Sequence, residues 1–126
     1  MKMEQELFLT VNIDESITDL ESLTRDINKI KQVEEAEEKQ SSGIGLALVI
    51  AIISRLVVEL IKQSPKAIKK LKKLIQKILK KRKKYSKGSG KTSLVLHYEV
   101  HRLTFTLGMD DEMDQQLQKL MKYISS

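Results

Sequence analysis

The chain opens with an alternation. In ELFLTVNID, Leu7, Leu9, Val11 and Ile13 fall on one side and Phe8, Thr10 and Asn12 on the other. A period of two predicts a half-buried strand. The next stretch, SITDLESLTRDINKIKQVEEAEEKQ, changes step. Ile17, Leu20, Leu23 (or Thr24), Ile27 and Ile30 recur every three or four residues, which places them on one face of a helix. Ser16 predicts the N-cap, with Asp19 three residues on as its capping-box partner. Beyond Val33 the apolar face fades into EEAEEKQSSG, read as a frayed helix end and a linker.

The middle of the chain is different in kind. Residues 43–62, GIGLALVIAIISRLVVELIK, are apolar on every side until Arg55 and Glu59, and predict a hydrophobic helix capped by Ser41 or Ser42. SPKAIKKLKKLIQKILKKRKK follows. Ser64 as cap and Pro65 at the first helical position predict a second helix over 65–84. Ile68, Leu71, Leu74, Ile75, Ile78 and Leu79 form its apolar stripe, and lysines fill the rest. YSKGSGK, 85–91, breaks that helix as a Gly/Ser linker. TSLVLHYEV and RLTFTL then predict two strands in a hairpin. In DDEMDQQLQKLMKYI, capped by Asp110 or Asp111, Met113, Leu117, Leu120 and Ile124 line a final helix.

The expected fold is α+β, in the order β-α-[α-α]-β-β-α, with a small three-stranded sheet covered by two helices. Residues 1–40 and 92–126 would form one domain, and 41–91 a helical insertion. A chain of 126 residues suffices for one such domain with a modest core.

An apolar segment of this length raises the question of a membrane. Residues 43–61 as a helix would reach about 28 Å, barely a bilayer core. Its twelve Ile, Leu and Val side chains favour insertion by about 4 to 7 kcal/mol, and Arg55 and Glu59 remove much of that. The two charges stand four residues apart and can form an intrahelical pair. A single crossing would also separate the first strand from the hairpin it must join. The segment is therefore expected to seek cover from a second copy or from lipid, through Leu46, Val49, Ile50, Ile53 and Val57.

Charge sharpens the picture. Net charge is +6. Residues 62–91 carry 14 Lys or Arg and no acid, whereas 1–42 carry 11 acids against 5 bases. So concentrated a block points to an anionic surface, with Lys69, Lys72, Lys73, Lys77, Lys80 and Arg82 as the candidate contacts. Nearly all its bases are lysines, and the chain has five Tyr and Phe and no Trp, which counts against nucleic acid. Cys is absent, excluding disulfides and thiolate chemistry. MKMEQELFLTVNIDES lacks the form of a secretory leader. A cytoplasmic protein is expected, with an anionic membrane as one possible surface.

Catalytic signals are weak. KGSGKTS, Lys87 to Ser93, imitates the end of a phosphate-binding loop, but that pattern needs a Gly where Tyr85 stands, and a strand before the loop with a helix after it. His97 and His101, read on one polar side of the hairpin, have poor metal spacing on a strand and no third ligand. The acids of DDEMD suit a helix start. The expectation is no catalytic residue, no metal and no cofactor.

The layout resembles the effector-associated constant component family of bacterial conflict systems. The likeness rests on LFLTVNIDESITDLESLTRDI, the Gly-led GIGLALVIAIISRLVVEL, a basic stretch, and TSLVLHYEVHRLTFTL with its terminal helix. It departs at 65–84, where relatives have a short arginine-rich break. The resemblance implies a small non-enzymatic component of an antiphage system, encoded beside an effector or sensor enzyme. On this reading the chain self-assembles and acts at a membrane through its hydrophobic and lysine-rich helices. The alternative is a soluble oligomerising adaptor that recruits an acidic partner.

Overall fold

The opening alternation does form a strand, β1, Leu7–Asn12. The computed structural model describes residues 7–41, 45–88 and 91–125. Leu7, Leu9 and Val11 point into the core, and Phe8 and Thr10 point away from it. Helix α1 spans Leu20–Asn28. Its N-cap is Asp19, whose carboxylate accepts from the Ser22 N–H at 3.1 Å. Ser16 instead hydrogen-bonds Asp14 in the turn before it. Leu23 and Ile27 are the buried residues of α1.

The largest departure from expectation comes next. Val33–Ser41 is a strand, β2, and Gly45–Ile52 is another, β3. They pair antiparallel from Val33↔Ile52 to Ser41↔Gly45. The predicted helix over 43–62 is therefore β3 followed by a short helix α2, Ser54–Ile61. The break falls at Ile53, which takes an extended conformation (φ −57°, ψ 139°). The expected caps Ser41 and Ser42 divide in the same way: Ser41 ends a strand, and Ser42 and Gly43 lie outside the described residues.

The physical reason is that a short, fully apolar run carries no period. A strand with one face in the core and the other partly covered reads the same as a buried helix. The acidic β2 hid for a different reason. Its Glu-rich sequence has poor strand propensity, and it is an edge strand, where charge guards against further pairing. It is held by β3 on one side and by Asn28 on the other. The Asn28 amide accepts from the Ala36 N–H at 2.8 Å and donates to the Ala36 carbonyl at 3.1 Å. Ala36 thereby has partners for both backbone groups, although it lies on the sheet edge.

Helix α3 spans Pro65–Lys84, with the predicted bounds and with Pro65 in its first turn. Strands β4, Ser93–Tyr98, and β5, His101–Thr106, form the expected hairpin. Its turn holds Glu99 at φ 54° and leaves Val100, the last residue of the predicted strand TSLVLHYEV, almost wholly exposed. Helix α4, Asp110–Ser125, closes the described chain and buries Met113, Leu117 and Leu120.

The sheet is antiparallel with strand order β2-β3-β1-β4-β5, five strands rather than three. Since β3 lies between β1 and β2, and β1 between β3 and β4, helix α1 and the α2–α3 pair each span a crossover between parallel strands. This is the split β-α-β arrangement of ferredoxin-like folds, extended by β5 and α4. One core takes Leu9, Val11, Leu48, Ile50, Leu96 and Phe105 from the sheet and Leu23, Leu56, Leu71, Ile78 and Leu117 from the helices. Residues 41–91 are thus no insertion. They supply a strand near the middle of the sheet and the longest helix of the core.

Ile50 is fully buried and Val58 is 47% exposed. On a single helix these residues, eight apart, would lie within about 80° of each other. Chemical denaturation should give a loss of about 2 to 5 kcal/mol for Ile50→Ala and under about 0.5 kcal/mol for Val58→Ala. Equal losses would contradict the strand–helix division.

Candidate anion-binding surface

Helix α3 has two opposite faces. At 3.6 residues per turn, Leu71, Leu74, Ile75, Ile78 and Leu79 gather on one side, and all are fully buried. Lys66, Lys69, Lys73, Lys77, Lys80 and Lys84, at steps of three and four, fall within an arc of about 80° on the opposite side, and all are exposed. The line from Lys66 to Lys84 is about 27 Å long at 1.5 Å per residue. None of Lys66, Lys69, Lys73, Lys77 and Lys80 has a carboxylate within salt-bridge distance among the described residues. Lys84 lies over the Tyr85 ring, 5.2 Å from its centroid.

Such a row costs the helix stability. Like charges three or four apart each oppose it by a few tenths of a kcal/mol. Burial of five large aliphatic side chains, each worth about 1.5–3 kcal/mol, exceeds that repulsion several-fold. The core thus holds in place a surface that the helix alone would disfavour.

The expected contact residues divide accordingly. Lys69, Lys73, Lys77 and Lys80 stand on the row. Lys72 is turned to α4, where its ammonium meets Asp114 at 2.7 Å; this contact raises the Lys72 pKa. Arg82 is buried and reaches Asp14 at 3.3 Å and the Asn12 carbonyl at 3.4 Å. Neither stands on the row. Lys66 and Lys84 were missed, although the same three- and four-residue steps from Lys69 and Lys80 reach them.

The apolar residues expected to meet lipid or a second copy do not share a surface. Ile50 is core, and Ile53 and Val57 pack against the core. Val49 lies on the outer face of the sheet opposite Thr10. Leu46, near the start of β3, is 37% exposed. Arg55 and Glu59 do pair along α2, at 4.0 Å, but Glu59 sits closer to Lys70 on α3, at 3.3 Å. No helix among the described residues is long and apolar enough to cross a membrane.

The second candidate surface is the outer face of the sheet. Across it run Glu37, Val49, Thr10, Val95 and Thr104, and beside them Glu35, Ala51, Phe8, His97 and Arg102. None of these joins the core cluster. RNA-binding domains of this split topology stack bases on aromatic side chains of that face. Here β3 offers Ala47, Val49 and Ala51, and Phe8 already stacks on His97 at 4.6 Å between ring centroids. His97 shares a 2.9 Å hydrogen bond with Thr10. His101 lies on the opposite side of the sheet, because the two-residue turn shifts the alternation, and it stacks on Tyr123. The two histidines therefore do not share a side. Among the described residues no group of three or more His, Asp or Glu could hold a metal.

KGSGKTS also takes a form of its own. Ser89 and Gly90 lie outside the described residues, a helix precedes the stretch, and β4 follows it. Comparison with family models, with curated proteins and with solved structures gave no match.

Burial holds the His97 pKa below 6.5, and the Arg102 charge on the neighbouring strand adds to this. The unfolded chain accordingly takes up that proton at higher pH than the folded one. His97 contributes stability that is complete above pH 6.5 and is lost as pH falls through the depressed folded value. Denaturation midpoints should fall as the pH is lowered from 6.5, and less steeply in His97→Gln. Parallel slopes for the two proteins would contradict the assignment.

Proposed function

We propose that this chain is a non-enzymatic adaptor that docks an acidic protein partner along the lysine row of α3. The observation that carries the reading is the row itself: six exposed lysines in one line, held outward by a buried opposite face. Exposed apolar side chains on α2, the helix before α3 in the chain, support a protein as partner. Val58 and Ile61 of α2 are 47% and 42% exposed, and apolar contacts rimmed by charge are the usual make-up of protein interfaces. In the setting that the family resemblance suggests, the partner is an effector or sensor enzyme of a bacterial antiphage system.

A membrane role through an inserted helix has lost its support. The segment expected to supply it is β3 and α2, and the apolar side of α3 is spent on the core, so α3 cannot lie in the interface as an amphipathic helix does. The self-assembly expectation rested on the same all-round apolar helix. A bilayer would meet the lysine heads alone, worth about 1 kcal/mol each on an anionic surface. The scarcity of arginine and of free aromatic faces disfavours nucleic acid.

Binding of poly-glutamate, anionic liposomes and duplex DNA, measured side by side, tests the reading. Poly-glutamate should bind and weaken by about tenfold or more as salt rises through the range where the Debye length falls below about 10 Å. Lys69→Glu/Lys73→Glu/Lys77→Glu should abolish binding without loss of stability, since it relieves like-charge repulsion. Retention of binding in that variant, or a stronger preference for liposomes or DNA, would overturn the reading.

A further inference from the structure

A recess of ≈ 210 Å³ lies at the C-terminal end of α3, lined by Asp14, Ser16, Arg82, Ser86, Lys87, Gly88 and Lys91. Three parts of the chain build it: the turn after β1, the last turn of α3, and residues 86–88 together with Lys91. The first and third are fastened together through the backbone. The Thr18 N–H donates to the Tyr85 carbonyl at 2.8 Å, and the Lys87 N–H donates to the Ser16 carbonyl at 2.8 Å. Thr18 Oγ1 adds a bond to the same Tyr85 carbonyl, and the Tyr85 hydroxyl donates to Asp26 on α1 at 2.6 Å. Residues 85–88 are therefore no free linker.

The charges of the recess are unbalanced. Arg82 is 92% buried by its 8% relative exposure, and its guanidinium donates to Asp14 and to the Asn12 carbonyl. Its Nε–H is buried and has no acceptor. Asp14 is held ionised by the Ser16 hydroxyl and N–H, which lower its pKa, so its charge is spoken for by Arg82 and Ser16. Lys87 and Lys91 are exposed at the rim and have no carboxylate partner among the described residues. The lining thus carries two cations more than anions.

We infer that this recess binds a phosphate group. Three cations line it, Arg82 from the last turn of α3 and Lys87 and Lys91 from the residues before β4, against one carboxylate already engaged by Arg82 and Ser16, and guanidinium and ammonium groups pair well with an oxyanion. Its volume is below the roughly 300–1,000 Å³ of pockets that enclose whole ligands. It therefore suits a single phosphoryl group, with the rest of the ligand outside. The phosphate would be carried by a nucleotide or by a phosphorylated lipid headgroup. No nucleotide-hydrolysing loop is implied, since no helix N-terminus follows the glycines. The site is independent of the docking role of the lysine row: Lys87 and Lys91 lie beyond the end of α3.

Calorimetric titration of the full chain tests this with inorganic phosphate, ATP and inositol trisphosphate, each against sulfate as a control. Saturable binding of one phosphate ligand per chain is expected. Lys87→Ala/Lys91→Ala should weaken it about tenfold or more, while Lys69→Ala/Lys73→Ala/Lys77→Ala should leave it unchanged. Tighter binding of ATP or of inositol trisphosphate then identifies the carrier. Failure of every phosphate ligand to saturate, or an equal loss in both triple-site and rim variants, overturns the proposal. Survival of poly-glutamate binding in the rim variant would show that failure here leaves the adaptor reading intact.

Discussion

The contact between the apolar face of α3 and the sheet sets the terms for the rest of the molecule. Leu71, Leu74, Ile75, Ile78 and Leu79 are buried without remainder, and they meet core residues contributed by the strands and by the other helices. Because a helix has two sides, this burial also decides what faces outward. The lysines at 66, 69, 73, 77, 80 and 84 have no freedom to turn inward or to scatter. A helix that in isolation would suffer from its own charge is held as a cationic edge. Fold and candidate function are consequences of the same heptad-like spacing.

Charge is then used in two distinct ways on that helix. Lysines at the boundary between the two sides tie α3 to its neighbours: Lys70 to Glu59, Lys72 to Asp114 and Lys81 to Asp26. Those on the crest have no carboxylate within salt-bridge distance among the described residues. At its last turn Arg82 goes inward and braces the turn after β1. The sequence block that reads as one basic run thus holds three populations, separated by their angle about the helix axis.

How much of this could be read from residues alone follows from the same geometry. Elements with a clear period were legible: β1, α3, the β4–β5 hairpin and α4, with most of their core positions but not Val100, which the turn leaves exposed. The lysine row was legible in part, because Lys69, Lys73, Lys77 and Lys80 follow from spacing, whereas the inward turn of Arg82 depends on Asp14 in a distant segment. β3 was not legible as a strand, since LALVIAI is apolar at every position and a strand in the middle of a sheet has no polar side to reveal its period. β2 was not legible because it exists only through its partners, β3 and the Asn28 amide. Misreading those two together turned a five-stranded sheet into three and an integral segment into an insertion. The apolar surface expected for lipid vanished with it.

The central physical claim is that packing of α3 on the sheet presents a single line of exposed lysines as the docking edge. Chemical acetylation of lysines, read by mass spectrometry with and without poly-glutamate, addresses it residue by residue. In the free protein Lys66, Lys69, Lys73, Lys77, Lys80 and Lys84, all exposed, should react faster than Lys72, whose ammonium is engaged by Asp114. Addition of poly-glutamate should protect the six and leave Lys29, Lys31, Lys119 and Lys122 unchanged. Uniform reactivity along α3, or protection spread evenly over the whole surface, would contradict it.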